Sequence, residues 1–217
     1  MSGLDTMNAA VAAGNIRKIV GPTILLGDGS YFDYVSCDAS EMTLGDYIWG
    51  LATKARFSGQ TRYRADVGDE CSLGPRCMYV VAQHCVLMAQ QMLDDGHSPE
   101  AAFEGLMHES DEVVWPDFPS PAKSLLPPEV RQMVKQAGAA IDQRFQVTRN
   151  HTALVKQYDL RMLATERREL MPQGGDDRWP VLDGYEPFPW RIACWTPEQA
   201  ERRFSFLYIA LRGMIDA

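Results

Sequence analysis

The chain has 217 residues, 46% of them hydrophobic, with 21 Lys and Arg against 29 Asp and Glu and a formal charge of −8. That length and composition suit a globular protein with a sizeable core and exclude intrinsic disorder. The acidic balance argues against long nucleic acid as a partner, because phosphate-backbone binding needs a basic surface.

Residues 1–22 are small and irregular and read as a leader. Thr23–Leu26 and Tyr31–Tyr34 flank Gly27-Asp28-Gly29-Ser30, a hairpin signal in which Asp-Gly supplies the positive φ of a tight turn. Thr43 caps a helix expected to reach about Arg56, with Leu44, Tyr47, Ile48 and Leu51 on one face. A second helix is expected from Gly74-Pro75 to Gly96, carrying Val80, Val81, Leu87 and Met88. Ser98-Pro99-Glu100 opens a third, expected to run to about Val114. Five prolines between Pro116 and Pro128 exclude a long helix and predict an ordered loop. Helices over roughly 128–146 and 150–171 follow, then a Gly/Pro/Asp-rich stretch. The capping box Thr196-Pro197-Glu198-Gln199 opens the last helix, with Phe204, Leu207, Tyr208 and Leu211 facing inward. The expected architecture is an all-α, single-domain helical bundle with a short N-terminal β-hairpin. Its core would span 23–171, and residues 172–217 would pack on the same domain.

The five cysteines at 37, 71, 77, 85 and 194 contain no Cys-x-x-Cys pair and read as reduced thiols. No targeting segment is apparent, and Met78–Ala89 is too short and too interrupted to span a bilayer. A soluble, cytoplasmic protein without membrane contact is expected.

Four histidines exist, at 84, 97, 108 and 151. His84 shares the apolar face of its helix with Val80 and Leu87, and alone it reads as a core imidazole. Asp159 falls among Val155, Tyr158, Met162 and Leu163, so a carboxylate is also aimed inward, which is rare without a partner or a metal. His108-Glu109, with Asp111 and Glu112, would complete a mixed N/O ligand set for a divalent ion. Adjacent residues on a helix diverge by about 100°, so His108 and Glu109 could share an ion only if it lay between their directions. By itself the run reads as a solvated acidic helix end. Lys54, Arg56, Arg62 and Arg64 form an acid-free basic island in an acidic chain. It suits a phosphorylated ligand, or else a solvated loop or a contact with Asp66, Asp69 and Glu70. A di-iron site would need Glu-x-x-His pairs, and neither His84 nor His108 has a Glu three residues before it.

Ala55-Arg56-Phe57-Ser58-Gly59-Gln60-Thr61, Tyr79–Leu87 around His84, Gly105–Glu112, Pro116-Asp117-Phe118-Pro119-Ser120-Pro121-Ala122-Lys123 and Val155–Asp159 occur in one order. In that order the chain resembles the HD-domain metal-dependent phosphohydrolases, and is similar to the 5′-deoxynucleotidases and phage dATP or dNTP triphosphohydrolases. The resemblance implies an HD-type helical core binding one divalent ion (Mn, Co, Zn or Mg) through His84, His108, Glu109 and Asp159. Glu109 stands where the family has the aspartate of its name. The resemblance further implies that Glu112 serves the attacking water, Arg56 a phosphate and Phe57 the sugar, with Asp117 and Lys123 on the nucleotide side. Gln60, Arg62 and Arg64 join the substrate set on charge alone. The implied activity is hydrolysis of deoxynucleotides, triphosphates slightly ahead of monophosphates, in the cytoplasm of a bacterium or phage-infected host. The alternative is a catalytically weak HD-like protein that binds a nucleotide or a partner chain. Trp179, Trp190 and Trp195 either cover the site or form a subunit contact, which leaves a homo-oligomer open.

Overall fold

The computed structural model describes residues 22–64, 74–172 and 178–217. The leader expected over 1–22 therefore falls almost wholly outside the described residues, as do Cys71 and the acids Asp66, Asp69 and Glu70. Strands β1 (Thr23–Leu25) and β2 (Tyr31–Asp33) pair antiparallel in the register Thr23↔Asp33, Ile24↔Phe32, Leu25↔Tyr31. Among the described residues seven helices follow: α1 (Leu44–Ala52), α2 (Val81–Asp94), α3 (Pro99–Leu106), α4 (Ser120–Ser124), α5 (Pro128–Phe145), α6 (Thr152–Leu170) and α7 (Pro197–Ile215). Short 3-10 turns lie at Arg56–Gly59, Ser110–Val113 and Pro180–Leu182. The mostly helical fold with one small hairpin is as expected, and among the described residues no helix is long and apolar enough to cross a membrane.

Thr43 makes the capping box of α1 with Asp46. The same carboxylate accepts from the Asp28 backbone N–H at 2.9 Å and from Ser30 Oγ at 3.3 Å, tying the hairpin turn to the helix start. One side chain thus satisfies donors from two elements that would otherwise be left in a poorly solvated crevice. Helix α7 packs against α1, α2 and α3. The shared core holds Phe32, Tyr47, Phe188 and Phe204 fully buried, and a smaller cluster joins Tyr79, Leu170 and Ile192.

Several boundaries differ from expectation. Helix α1 stops at Ala52 rather than Arg56, and α2 starts at Val81, well after Gly74-Pro75. Segment 54–56 instead runs alongside 79–81, with Arg56 N–H donating to Tyr79 O at 2.8 Å and Val81 N–H to Lys54 O at 2.9 Å. Inside the proline-rich stretch, α4 fits because Pro121 lies in its first turn, where a missing N–H costs nothing. The third helix ends at Leu106, two turns short of Val114, and the chain then tightens into the 110–113 turn.

Gly50 sets how close that turn comes to α1. A Cβ there would lie 2.9 Å from Val113 O and 3.2 Å from Val113 Cγ1, so no larger residue fits without movement of backbone. Gly50→Ala should destabilise the protein by about 1–3 kcal/mol in urea unfolding, although alanine has the better helix propensity. A gain in stability would show that the contact is not constraining.

Candidate metal centre

His84 lies in the first turn of α2 and is fully buried, because the flanking Val81, Ala82 and Cys85 face the same core. Asp159 comes from the middle of α6. His108 and Glu109 follow α3 rather than belonging to it. Met107 caps the helix, and Glu109 at φ −98, ψ 37 has left helical geometry. The expected helix over His108-Glu109 is thus corrected, with a chemical consequence: the turn lets two adjacent side chains converge instead of diverging. His84, His108, Glu109 and Asp159 each offer a ligand atom, all within 4.8 Å of one another.

The hydrogen bonds behind these atoms fix the histidine tautomers. His84 Nδ1 is 2.6 Å from Glu166 Oε1, and His108 Nδ1 is 2.7 Å from Gly105 O. A carboxylate and a carbonyl only accept, so each Nδ1 carries the proton and each neutral ring has its lone pair on Nε2. The two Nε2 atoms face each other at 3.2 Å. Asp159 Oδ1 is 3.5 Å from His84 Nε2 and 4.0 Å from His108 Nε2, and Glu109 Oε1 is 3.3 Å from His108 Nε2. Two lone pairs and two carboxylates pointed at one spot need a positive charge between them. Without metal a proton supplies it: burial opposes charging His108, but the Glu109 carboxylate holds that imidazole well above its ordinary value. A divalent ion satisfies all four donors at once, so the residues fit such a group.

Glu166 is absent from the sequence-based set. It is fully buried and also takes Arg56 Nη2 at 3.3 Å, while Arg56 Nη1 reaches Glu109 Oε1 at 3.4 Å. Burial works against ionising Glu166, yet Arg56 and His84 hold its carboxyl below the ordinary range. Its signal was its position seven residues after Asp159, two helical turns along the same inward face. Arg56 is buried too, and desolvation is outweighed by Glu166 and Glu109, which keep the guanidinium charged. The next two residues, Phe57 and Ser58, are left-handed at φ 53 and 52, ahead of Gly59 at φ 71. Holding two non-glycine residues there costs roughly 1–2 kcal/mol each.

The centre opens into a cavity of about 940 Å³ lined by Arg56, Phe57, His108, Glu109, Glu112 and Asp159, among others. Glu112 is buried, its Oε2 has no hydrogen-bond partner among the described residues, and burial together with Glu109 and Asp117 pushes its carboxyl well above the ordinary range. Asp117 also lines the cavity, and burial raises its carboxyl despite Arg56. Lys123 lines it with its ammonium 3.6 Å from Asp111.

The rest of the basic island turns elsewhere. Lys54 donates to Glu112 O and, at 2.6 Å, to Trp115 O, and burial lowers its pKa to about 8. Arg62 donates to Gly74 O at 3.0 Å, Gln60 accepts from Arg76 at 3.4 Å, and Arg64 is exposed with its backbone bonded to Glu169 O. Gln60, Arg62 and Arg64 therefore do not line the cavity, because backbone carbonyls near the end of α6 and around Gly74 take this segment's hydrogen bonds. The other cations facing the cavity come from distant segments: Arg149, Lys156 and Arg178. Of the three late tryptophans only Trp179 reaches it, 6.4 Å from Phe57 between ring centroids. Trp190 instead stacks on Phe188 at 5.5 Å, and Trp195 lies under Arg203 at 4.5 Å.

No family model matches the chain. It is 34% identical over 158 residues to the uncharacterized protein YfdR of Escherichia coli K12, an alignment covering 72% of this chain and 76% of that protein. The chain belongs to the YfdR family. Membership brings no activity with it, since YfdR is itself uncharacterized, so the chemical reading of this YfdR-family chain rests on the cluster and its cavity.

Asp159→Ala should abolish stoichiometric metal in elemental analysis, and Glu166→Gln should weaken metal affinity about 10–100-fold by loosening the His84 tautomer. Full metal retention by both variants would remove the ligand assignment. A second expectation concerns the metal-free protein. Folding raises the Glu112 carboxyl above its usual 4.5, so the folded state binds the proton more tightly than the unfolded one. Stability must then fall as pH rises from that value through the raised one, and the burial cost is fully present above it. Glu112→Gln should flatten that slope and raise the melting temperature by a few degrees at pH 7, as read by calorimetry in EDTA.

Proposed function

We propose that the chain is a divalent-metal-dependent phosphohydrolase acting on small phosphorylated molecules, with deoxynucleotides as the substrate class that the HD-domain resemblance implies. One observation carries the reading: two imidazoles with fixed tautomers and two carboxylates converge beside a cavity that His108, Glu109 and Asp159 line together with a buried arginine.

A divalent ion bound there would supply a nucleophile from water, lowering its pKa from about 15.7 towards about 7, and would neutralise phosphoryl charge. Glu112 is the group built to handle the proton. Its carboxyl lines the same cavity, one of its oxygens is buried with no hydrogen-bond partner among the described residues, and its pKa is shifted upward, as a general acid or base at neutral pH requires. Arg56 orients phosphate oxygens. Its Nε has no hydrogen-bond partner among the described residues, while its two terminal nitrogens are held by Glu109 and Glu166. Phe57 and Trp179 offer aromatic surface for the nucleoside end.

Charge bookkeeping limits how the phosphate is attracted. The ion's two charges are cancelled by Glu109 and Asp159, and Arg56 is cancelled by Glu166. The other cations around the cavity are paired as well, Lys123 with Asp111, Arg149 with Asp142, Lys156 with Asp159 and Arg178 with Asp183, so an incoming phosphate must compete with those carboxylates for them. At an effective dielectric of about 20 each unit pair at 4 Å is worth about 4 kcal/mol before desolvation. With Gln60, Arg62 and Arg64 outside the cavity, the count of basic residues in the island no longer favours triphosphates, and both phosphate lengths belong in the assay.

The test is release of nucleoside, phosphate or triphosphate from the dNTPs and dNMPs with added Mn²⁺, Co²⁺, Zn²⁺ or Mg²⁺. Turnover that EDTA removes is expected, with Glu112→Gln losing about 10²–10⁴-fold in kcat while retaining metal. No turnover with any substrate despite nucleotide binding would leave the protein a nucleotide-binding module.

A further inference from the structure

Helix α7 carries a second pattern on the side away from the core. Phe204, Leu207 and Leu211 are buried, whereas Arg202, Phe206, Ile209, Gly213 and Asp216 are exposed. Those five positions are spaced by four, three, four and three residues, the spacing that keeps one seam of a helix facing a partner helix. At the centre of the seam Phe206 is 76% and Ile209 67% exposed, a large apolar surface for a soluble chain to leave in water. Nothing lies within 4 Å of where a Cβ at Gly213 would be, so the seam has a notch one helical turn beyond Ile209.

The order of chemistry along the seam is complementary to itself reversed. In an antiparallel pair centred on Ile209, the two Ile209 side chains meet at the dyad. Phe206 of each chain faces Gly213 of the other, where the missing side chain leaves room for a ring. Arg202 of each chain faces Asp216 of the other. Every contact is repeated by the two-fold, as a closed isologous interface requires. A parallel pairing would oppose Phe206 to Phe206 and Arg202 to Arg202 and would use neither the notch nor the charges. Asp216 lies at the C-terminal end of its helix, where its own Arg212 at 3.2 Å already offsets the unfavourable dipole, and its side chain remains 60% exposed.

We propose that α7 is a homodimerisation surface, occupied by α7 of a second copy of this chain in antiparallel register about Ile209. The seam spans about 21 Å and one helix pair, so it buries less than the roughly 1,600 Å² of a standard interface. An interface of that size suits a reversible dimer. This inference is independent of the proposed hydrolase activity, because no seam residue lines the cavity.

Sedimentation of the full chain from about 1 µM to about 1 mM should show the mass rising to twice that of the chain. Phe206→Glu, at an exposed site, should remain folded by circular dichroism and stay monomeric throughout. Arg202→Asp should weaken the dimer at least tenfold, and Arg202→Asp combined with Asp216→Arg should restore it. Register is read by cysteine: Ile209→Cys should cross-link to itself on mild oxidation, whereas Phe206→Cys, one turn from the dyad, should not, since disulfide Cα atoms must approach within about 7 Å. A wild-type chain monomeric across the range, a dimer indifferent to Phe206→Glu, or a charge swap no better than its single variant would each overturn the proposal.

Discussion

The two Nε2 atoms of His84 and His108, facing each other at 3.2 Å with their ring protons committed elsewhere, are the constraint on which the site depends. Such an arrangement is unfavourable in isolation and persists only if a cation is held between the rings. Much of the surroundings serves that end. Gly105 O and Glu166 hold the back of each imidazole, Glu109 and Asp159 close the front, and Arg56 offsets the carboxylate behind.

This concentration of ionisable groups also organises the fold. Arg56, His84 and Glu166 come from three separate segments and are all buried. Removing one partner from such a group leaves an uncompensated charge in a low-dielectric interior, which typically costs about 3–5 kcal/mol. The paired charges also oppose a slide of α2 against α6, because a shift of one residue along α6 would turn both Asp159 and Glu166 away from His84. The same network therefore holds the relative register of two helices and would set the geometry of an ion bound there.

How much of this was legible in the sequence varied by residue. His84 and Asp159 could be found because a polar side chain at a helical core position stands out against apolar neighbours. His108 and Glu109 were identified, but on the wrong kind of backbone. The run His108-Glu109-Ser110-Asp111-Glu112 contains no Pro or Gly to stop a helix, so local signals carried the periodicity past Leu106, while tertiary contact with α1 and α5 imposed a turn. Glu166 was hidden inside Thr165-Glu166-Arg167-Arg168-Glu169, a run whose composition reads as solvated surface. The basic island misled in the opposite direction. Clustering in sequence says nothing about where long side chains point, and Lys54 and Arg62 spend their charge on backbone carbonyls while the cavity draws its other cations from distant segments.

Glu166 belongs at once to the histidine that would hold the ion and to the arginine that would hold the phosphate. Under the proposed function, metal affinity and anion affinity would therefore not be independent traits. A substitution at Arg56 changes the field on Glu166, hence the proton on His84, hence the ligand strength of a nitrogen on the other side of the ring. Variation across such a triad is epistatic: a neutral change in one background is a loss in another, and divergence in substrate would have to travel with divergence in the metal.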